Sequence, residues 1–207
     1  MGDDVARPAE GRQPAAPVSS GQVARRVRIL RAASELGARE GLANVQMHDV
    51  AKEAGVAIAT LYRYFPSKPY LFLAVLEWHI ELFLGDRDSV VTTDEGADAA
   101  EEVAQTLIAL SVKLLASPLL ASAVALSSYA EYASAIPTRI DIVESALGQT
   151  ILGLLRGVHE VSETGRSRVR LVTYSWWGLF VAMLTEEISA EQAEADLRLA
   201  ARLILAP

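Results

Sequence analysis

Four side chains suited to binding phosphate oxygens or the edges of bases lie close together between residues 58 and 64. They carry hydroxyl groups or a guanidinium: Thr60, Tyr62, Arg63 and Tyr64. Both kinds of group donate hydrogen bonds to phosphates and bases. Ala57 and Ala59 are small enough to let the start of this segment approach a groove, and a helix N-terminus favours anionic oxygens. The segment therefore predicts a surface for a polyanion.

The elements that position these side chains are predicted to be two short helices around a tight turn. Apolar and small residues recur at helical spacing over residues 47–54, which indicates one helix. Gly55 predicts its left-handed stop. Residues 58–64 resume helical spacing, and Pro66 ends the second helix because the residue before a proline is pushed away from helical geometry. Helix, glycine turn and helix is the helix-turn-helix arrangement.

A third helix is predicted to begin directly after this pair. Ser67 is a good N-cap, and Pro69 is tolerated in a first helical turn. Lys68 stands between them at the start of the helix, so we expect its ammonium group to reach a phosphate.

Residues 49–68, DVAKEAGVAIATLYRYFPSK, resemble the DNA-binding segment of the TetR family of bacterial transcriptional regulators. The family pattern is approximately D-(I/V)-A-x-x-A-G-V-(S/A)-x-(G/A)-T-(L/V)-Y-x-(Y/H)-F-x-(S/T)-K. The resemblance implies that Tyr62 and Lys68 chiefly position the protein on phosphate, while Thr60 and the helix start face the bases. The structural alternative is a helical hairpin that only packs within a core.

Four positions depart from this family pattern. Tyr70 stands where an acidic residue often completes the cap of the next helix. Gln46 stands where a threonine cap is common, and His48 where an arginine is common, so a phosphate contact at His48 is in doubt. Ile58 replaces a frequent polar residue and could either meet a thymine methyl or pack against the protein. The full set expected to bind DNA is Gln46, Met47, His48, Ala57, Ile58, Ala59, Thr60, Tyr62, Arg63, Tyr64 and Lys68.

The charge is distributed unevenly along the 207 residues, although the net charge is −7. Residues 1–20 carry −1, residues 21–70 carry +4 and residues 71–207 carry −10. Basic charge thus coincides with the predicted helix-turn-helix, which is typical of a segregated nucleic-acid module. An acidic surface that only maintains solubility would explain the −10 but not the +4.

The chain is predicted to have three regions and an all-α fold, because no strand-like alternation occurs. Residues 1–20 are rich in Pro, Ala and Gly and indicate a disordered arm. Residues 21–66 would form a three-helix DNA-binding domain whose first long helix, over 22–40, ends at Gly41. Residues 67–207 would form a helical-bundle domain for ligand binding and dimerisation.

Six helices are predicted within that bundle, over 67–85, 97–117, 119–131, 138–156, 164–187 and 190–205. The residues between the first two indicate a polar loop, and Pro118 separates the next two. The helix over 119–131 consists almost wholly of apolar or small residues, so we expect it to be buried. The first of the six is the only continuous element that joins the two domains.

Motifs of enzymes and metal sites are missing from the sequence. There is no G-x-S-x-G, phosphate loop or HExxH, and no histidine has a glutamate three residues before it. We therefore expect no catalytic residue, metal or cofactor, and no enzymatic activity. The chain has no cysteine, no apolar run of about 18 residues and no secretory signal, so a cytoplasmic protein without membrane contact is expected.

Aromatic and small residues are concentrated in the second domain. Buried tyrosines and tryptophans require hydrogen-bond partners, and a cavity between helices is a usual ligand site. Plain core packing is the alternative for each aromatic residue, but the family resemblance implies an inducer pocket. The residues expected to line it are Trp78, Phe83, Leu107, Leu110, Leu114, Tyr129, Tyr132, Trp176, Trp177 and Phe180.

The end of the chain suggests both an effector class and a dimer interface. WWGLFVAMLT and ISAEQAEADLRLAARLIL resemble the subgroup that represses steroid or cholesterol catabolism in actinobacteria, which implies a large apolar ligand, a steroid or an acyl-CoA thioester. Because one recognition helix reads few base pairs, two related by a two-fold axis are expected. The predicted interface residues are Val172, Trp176, Leu179, Met183, Leu197, Ala200 and Ile204.

The sequence thus leads to one function hypothesis and two alternatives. The hypothesis is a ligand-responsive repressor that binds double-stranded operator DNA as a homodimer and is released by a small apolar effector. One alternative is a small-molecule sequestering or carrier protein that retains the motif for packing. The more remote one is an enzyme built within the helical bundle.

Overall fold

The chain is helical throughout the residues that the computed structural model describes, which are 19–88, 98–132, 141–155 and 162–205. These ranges contain nine α-helices and no strand, which confirms the all-α prediction. Nearly all of the predicted arm and most of the predicted polar loop lie outside them. The helices are α1 (Ser20–Asn44), α2 (Met47–Glu53), α3 (Ile58–Tyr64), α4 (Lys68–Asp88), α5 (Ala99–Leu115), α6 (Pro118–Tyr132), α7 (Ala146–Leu155), α8 (Glu163–Leu184) and α9 (Ala190–Leu205).

Six of the helices begin after a short polar side chain that accepts a hydrogen bond from a backbone N–H of the first turn. Such a bond satisfies one of the donors that a helix leaves without an internal partner. The N···O distance is 3.4 Å at Ser19 and 3.1 Å at the other five. Gln46, by contrast, makes no side-chain cap before α2, in agreement with its departure from threonine. The six capping residues are Ser19, Ser67, Asp98, Ser145, Ser162 and Ser189.

The helix predicted over 138–156 is shorter than expected. Residues 141–145 form a turn, and α7 begins only at Ala146. The Asp141 carboxylate accepts a hydrogen bond from the Val143 N–H at 3.0 Å, and the Ser145 hydroxyl donates to the Ile142 carbonyl at 2.6 Å. These side chains compete with helical hydrogen bonds, so the turn replaces the predicted first part of the helix. The predicted ends of this helix, residues 138 and 156, lie outside the described ranges.

The prediction that the whole helix over 119–131 is buried is wrong. α6 buries one face against α1 and α4, while Leu119, Leu126 and Tyr129 on its other side are exposed. An apolar composition therefore does not distinguish a helix that is covered on one face from one that is covered all round.

No single helix within the described ranges is long and apolar enough to span a membrane; α5 and α6 reach that length only as a pair bent by 112°.

α4 is the covalent connection between α1–α3 and the remaining helices. It packs against α1 and α6 and also against α7, with Leu71, Phe72 and Val75 fully buried. Helices α5, α8 and α9 pack together on the other side of the bundle. α6 also packs extensively along α1, so the two halves of the protein touch through a second helix. The sequence pattern indicated only the connection through α4.

Side chains of α4 and α6 pack directly against α1 at Gly37. A Cβ atom at this position would lie 2.6 Å from Cε1 of Phe72 and 3.1 Å from Cδ1 of Leu120, so a larger residue would have to displace one of these side chains. About one turn earlier on α1, the Ser34 hydroxyl is hydrogen-bonded to Nε2 of His79 on α4 at 2.7 Å. Burial lowers the pKa of His79, and the charge of Lys113 lowers it further.

The contact between α1 and α4 also contains a carboxyl group that is hard to ionise. Burial raises the pKa of Glu77 from its ordinary value of 4.5 to about 7. The charge of Arg26 on α1 opposes this shift, and the charge of Glu81 adds to it. The carboxylate form of Glu77 is therefore less favourable in the folded protein than in the unfolded chain.

We expect Glu77→Gln to change how stability depends on pH. Because the folded-state pKa is raised, the wild-type protein loses stability as the pH rises from 4.5 through about 7, and this loss is absent below 4.5. The glutamine variant lacks the loss, so over this range its free energy of unfolding should improve relative to wild type by on the order of 1–3 kcal/mol.

Urea unfolding at a series of pH values measures this difference. The matched control is Glu35→Gln, which removes an exposed carboxylate from α1 and should leave the pH profile close to that of wild type. Parallel profiles for wild type and Glu77→Gln would contradict the prediction.

Candidate nucleic-acid interface

The turn between α2 and α3 is set by Gly55. Its φ is +64°, in the left-handed region that glycine adopts at little cost, which confirms the predicted helix stop. The Val56 N–H bonds the Ala51 carbonyl at 2.9 Å, and the Gly55 N–H bonds the Lys52 carbonyl at 3.2 Å. The last carbonyl groups of α2 are thereby satisfied within the turn, and the chain is aimed directly into α3.

α3 has one buried face and one outward face. Leu61 and Phe65 are fully buried and hold the helix in the core. Tyr64 lies on the same face and is only 4% exposed, so the prediction that its side chain contacts DNA is wrong. Helical spacing explains the correction, since residues three and four apart share a face. The outward residues are Ala57, Ile58, Ala59, Tyr62 and Arg63, with Thr60 half-buried at their edge.

The predicted contact residues at the start of α2 also divide into exposed and buried side chains. Gln46 and His48 are exposed, and the His48 ring nitrogen lies 3.8 Å from an Asp49 carboxylate oxygen. Met47 is buried in the core, so its side chain is not accessible to a nucleic acid and the prediction of such a contact is wrong. Of these three residues, only Gln46 and His48 therefore lie on the protein surface.

Several cations of the basic region contact other parts of the protein. Nε of Arg28 on α1 donates to the Ala54 carbonyl at the end of α2, at 3.4 Å. The guanidinium of Arg26 lies 5.7 Å from the ring centroid of Phe65, directly after α3, within the range of a cation–π contact. The positive charge counted in the sequence thus also helps to assemble the helix-turn-helix unit.

Lys68 is likewise engaged within the protein. Its Nζ donates to the Leu42 carbonyl at 2.8 Å and to the Val45 carbonyl at 3.1 Å. An ammonium group has three N–H donors, and two of them bond the connection between α1 and α2. The sequence predicted a phosphate contact for Lys68, whereas its observed partners are backbone carbonyls.

The predicted ligand residues of α5 and α8 meet in the interior of the bundle. Trp176 and Phe180 are buried and their ring centroids lie 6.1 Å apart, while Trp177 stacks on Phe180 at 5.2 Å. The Trp176 indole N–H donates to the Ser111 hydroxyl at 2.8 Å. The sequence prediction missed Ser111, although its place within the apolar stripe of α5 could have indicated it. The α5 residues Leu107, Leu110 and Leu114 are also buried.

The other predicted ligand residues are less central. Trp78 and Phe83 on α4 are half-buried, as is Trp177. Tyr129 is 78% exposed on the outer side of α6, so the prediction that it lines an interior cavity is wrong for this chain. The side chain of Tyr132 lies outside the described part of the structure.

The predicted dimer residues divide into buried and half-buried groups. Val172, Trp176 and Leu197 are buried within the chain, so their assignment to an interface between chains is wrong. Leu179, Met183, Ala200 and Ile204 are half-buried. Large apolar side chains instead project outward at positions one or two residues away, at Leu171 and Tyr174 on α8 and at Leu199 and Leu203 on α9.

Comparison with known proteins gives matches to both halves of the chain. Residues 29–75 match the bacterial regulatory proteins of the tetR family, and residues 96–204 match a tetracyclin repressor-like C-terminal domain. The chain is 31% identical to the HTH-type transcriptional repressor KstR of Rhodococcus jostii (strain RHA1), over 90% of this chain and 85% of that protein. It is 30% identical to KstR of Mycobacterium tuberculosis, over 90% and 83% respectively.

A solved structure agrees with these sequence matches. The crystal structure of a TetR transcriptional regulator from Rhodococcus sp. RHA1 is 34% identical, covers 90% of this chain and 98% of its own, and has a TM-score of 0.77. The family matches include the helix-turn-helix described above and continue through α9. The chain therefore belongs to the TetR family of bacterial transcriptional regulators.

Proposed function

We propose that this protein is a ligand-responsive repressor that binds operator DNA as a homodimer and is released by a small apolar effector. The observation that carries the proposal is the outward surface of α3. Small residues, a hydroxyl and a guanidinium lie there together, while Leu61 and Phe65 anchor the helix from below. The similarity to KstR repressors supports repression as the direction of regulation.

The outward residues of α3 divide into base-facing and phosphate-facing groups. Ala57 and Ala59 leave room for the start of the helix to enter a major groove, and Thr60 is placed to meet base edges there. Ile58 is 37% exposed, which favours contact with a thymine methyl over packing. Tyr62, which is 48% exposed, would bond a phosphate through its hydroxyl.

A second copy of the chain is the proposed partner for the exposed faces of α8 and α9. These two helices pack against each other, and each presents two large apolar side chains to the outside. Covering Leu171, Tyr174, Leu199 and Leu203 with the same helices of a partner would remove apolar surface from water. The resulting four-helix interface would hold two recognition helices at a set distance, as a two-fold operator requires.

The proposed effector is a large, mostly uncharged molecule such as a steroid or the acyl part of a thioester. Within the described ranges, the buried polar residues are serines and threonines, and no charged side chain is fully buried. The hydroxyls of Ser127 and Thr173 are buried without a hydrogen-bond partner in that part of the chain. An apolar interior with a few hydroxyl groups suits an apolar ligand that carries an oxygen.

Release from DNA would follow from displacement of α4 or α6. A ligand lodged beside Trp176 on α8 would press on α6 directly, and on α4 through α7, which packs against both α8 and α4. Both α4 and α6 pack against α1. A shift of a few ångströms in one recognition helix would prevent the two from docking together at sites about 34–36 Å apart. The ligand acts only to the extent that it binds the released conformation more tightly.

The DNA-binding part of the proposal predicts the behaviour of Arg63→Ala. Removing this exposed guanidinium from α3 should weaken binding to a fragment of the promoter beside its own gene by about 5- to 150-fold, corresponding to about 1–3 kcal/mol. Fluorescence anisotropy with labelled fragments measures the affinity. The control is Lys113→Ala, which removes an exposed cation from α5 and should bind nearly as wild type. Failure of wild type to bind any fragment specifically would instead favour the carrier alternative.

The dimer part of the proposal predicts that Leu203→Glu produces a monomer. Leu203 is 73% exposed, so the glutamate costs little in the isolated chain but would place a charge within the proposed interface. Sedimentation at micromolar concentration should show a dimer for wild type and a monomer for the variant, with unchanged helical content by circular dichroism. Leu126→Glu on α6, at a position 60% exposed, should remain a dimer. A dimeric Leu203→Glu would refute this interface.

A further inference from the structure

The hydrogen bonds of Lys68 join two segments that are separated in sequence. Lys68 is the first residue of α4, and its carbonyl partners are Leu42 in the last turn of α1 and Val45 in the connection from α1 to α2. Gly41 precedes this last turn, with a φ of +71°, and breaks the helical path of α1. Carbonyl groups at such a break lack helical partners, and an ammonium group satisfies two of them at once.

Further contacts extend this attachment to the rest of the helix-turn-helix unit. Arg28 bonds the Ala54 carbonyl at the end of α2, and Arg26 lies over the ring of Phe65 after α3. The Val45 side chain, next to the carbonyl that Lys68 binds, is fully buried in the same core as Val50 and Leu61. A displacement at Lys68 is therefore transmitted to α2 and α3 through bonded and packed groups.

We propose that Lys68 is a positioning residue. It fixes the position of the helix-turn-helix unit relative to α4, and it affects DNA affinity chiefly through that position. The inference rests on the proposed function for its effect on DNA, but its geometric basis is present without DNA. Hydrogen bonds from a charged donor are stronger than those between neutral groups, and two of them converge on one short segment. Two of the three N–H donors of the ammonium group bond these carbonyls, which leaves one for a phosphate.

The consequence concerns communication between the two halves of the protein. Lys68 lies at the end of α4 next to the DNA-binding helices, while the remainder of α4 packs against α6 and α7. A movement of α4 would carry Lys68 along, and its two carbonyl partners would draw the α1–α2 connection with it. Lys68 thus attaches the helix-turn-helix unit to α4, the helix that packs against α6 and α7 of the bundle.

Salt dependence separates positioning from phosphate binding. The slope of log affinity against log salt concentration changes by about 0.9 for each phosphate that the protein ceases to neutralise. A shift of the helix-turn-helix unit relative to α4 would instead lower the affinity while the same number of phosphates stays bound. We expect Lys68→Met to weaken operator binding by about tenfold with an unchanged slope. Arg63→Gln serves as the control for an exposed cation on α3 and should make the slope less steep.

Hydrogen exchange of the full-length protein without DNA provides a second readout. Lys68→Met should speed exchange of the amides in residues 46–65, and Lys68→Gln, which keeps an N–H donor but no charge, should restore part of the protection and part of the affinity. Similar exchange in wild type and both variants, with a slope reduced by about 0.9 per subunit, would overturn the proposal and assign Lys68 to a phosphate.

The two readouts also keep this inference separate from the proposed function. If wild type binds no promoter fragment, DNA binding itself fails, while faster exchange in Lys68→Met would still support the positioning role. If Lys68→Met does not fold, the comparison of Lys68→Gln with wild type decides: partly reduced protection with an unchanged salt slope supports the proposal, and full protection with a reduced slope overturns it.

Discussion

The close approach of α1, α4 and α6 at Gly37 is the constraint on which the arrangement of the two halves depends. A Cβ atom there would lie 2.6 Å from the Phe72 ring, so this packing of Phe72 against α1 requires a residue without a side chain at position 37. The contact between α1 and α4 also contains the hydrogen bond between Ser34 and His79. The hydrogen bonds of Lys68 lie at the start of α4. The helix-turn-helix unit is consequently held against the bundle by direct contact with two helices, in addition to the covalent connection through α4.

Cationic side chains in residues 21–70 contact other parts of the protein as well as forming the surface that is proposed to bind DNA. The net +4 of residues 21–70 suggested a set of cations facing the nucleic acid. In the structure, Arg28 and Lys68 donate to backbone carbonyls, and Arg26 lies over an aromatic ring. The cation of α3 itself, Arg63, also lies near a ring, 5.6 Å from the Tyr64 centroid, but remains exposed on the outward face. Local net charge therefore locates the DNA-binding half correctly, while at least three of its cations also have partners within the protein.

The sequence predicted features that depend on local chemistry and failed where they depend on packing direction. Gly55 has the left-handed conformation that the pattern indicated, and the predicted bounds of α3 and α9 agree with the structure. Tyr64, chosen for its hydroxyl group, and Met47 were both predicted to contact DNA, but helical spacing turns both into the core. In α8 and α9, apolar residues cover more than one face. The inward residues Val172 and Leu197 therefore could not be told from the outward residues Leu171 and Leu203 by pattern alone. The partners of Lys68 and of Trp176 are distant in sequence, and no local signal specifies such pairs.

The most direct test of coupling between the bundle and the DNA-binding helices is a pair of titrations. They use a ligand found among steroids and acyl-CoA thioesters by its direct binding to the DNA-free protein. Its affinity is measured for the free protein and again for the protein saturated with operator. Linkage requires operator to weaken effector binding by the same factor by which effector weakens operator binding, and a factor of about one hundred corresponds to about 2.7 kcal/mol of coupling. We expect equal, large factors in both directions. Equal effector affinity with and without operator would contradict this coupling, because the interior of the bundle would then have no influence on the DNA-binding helices.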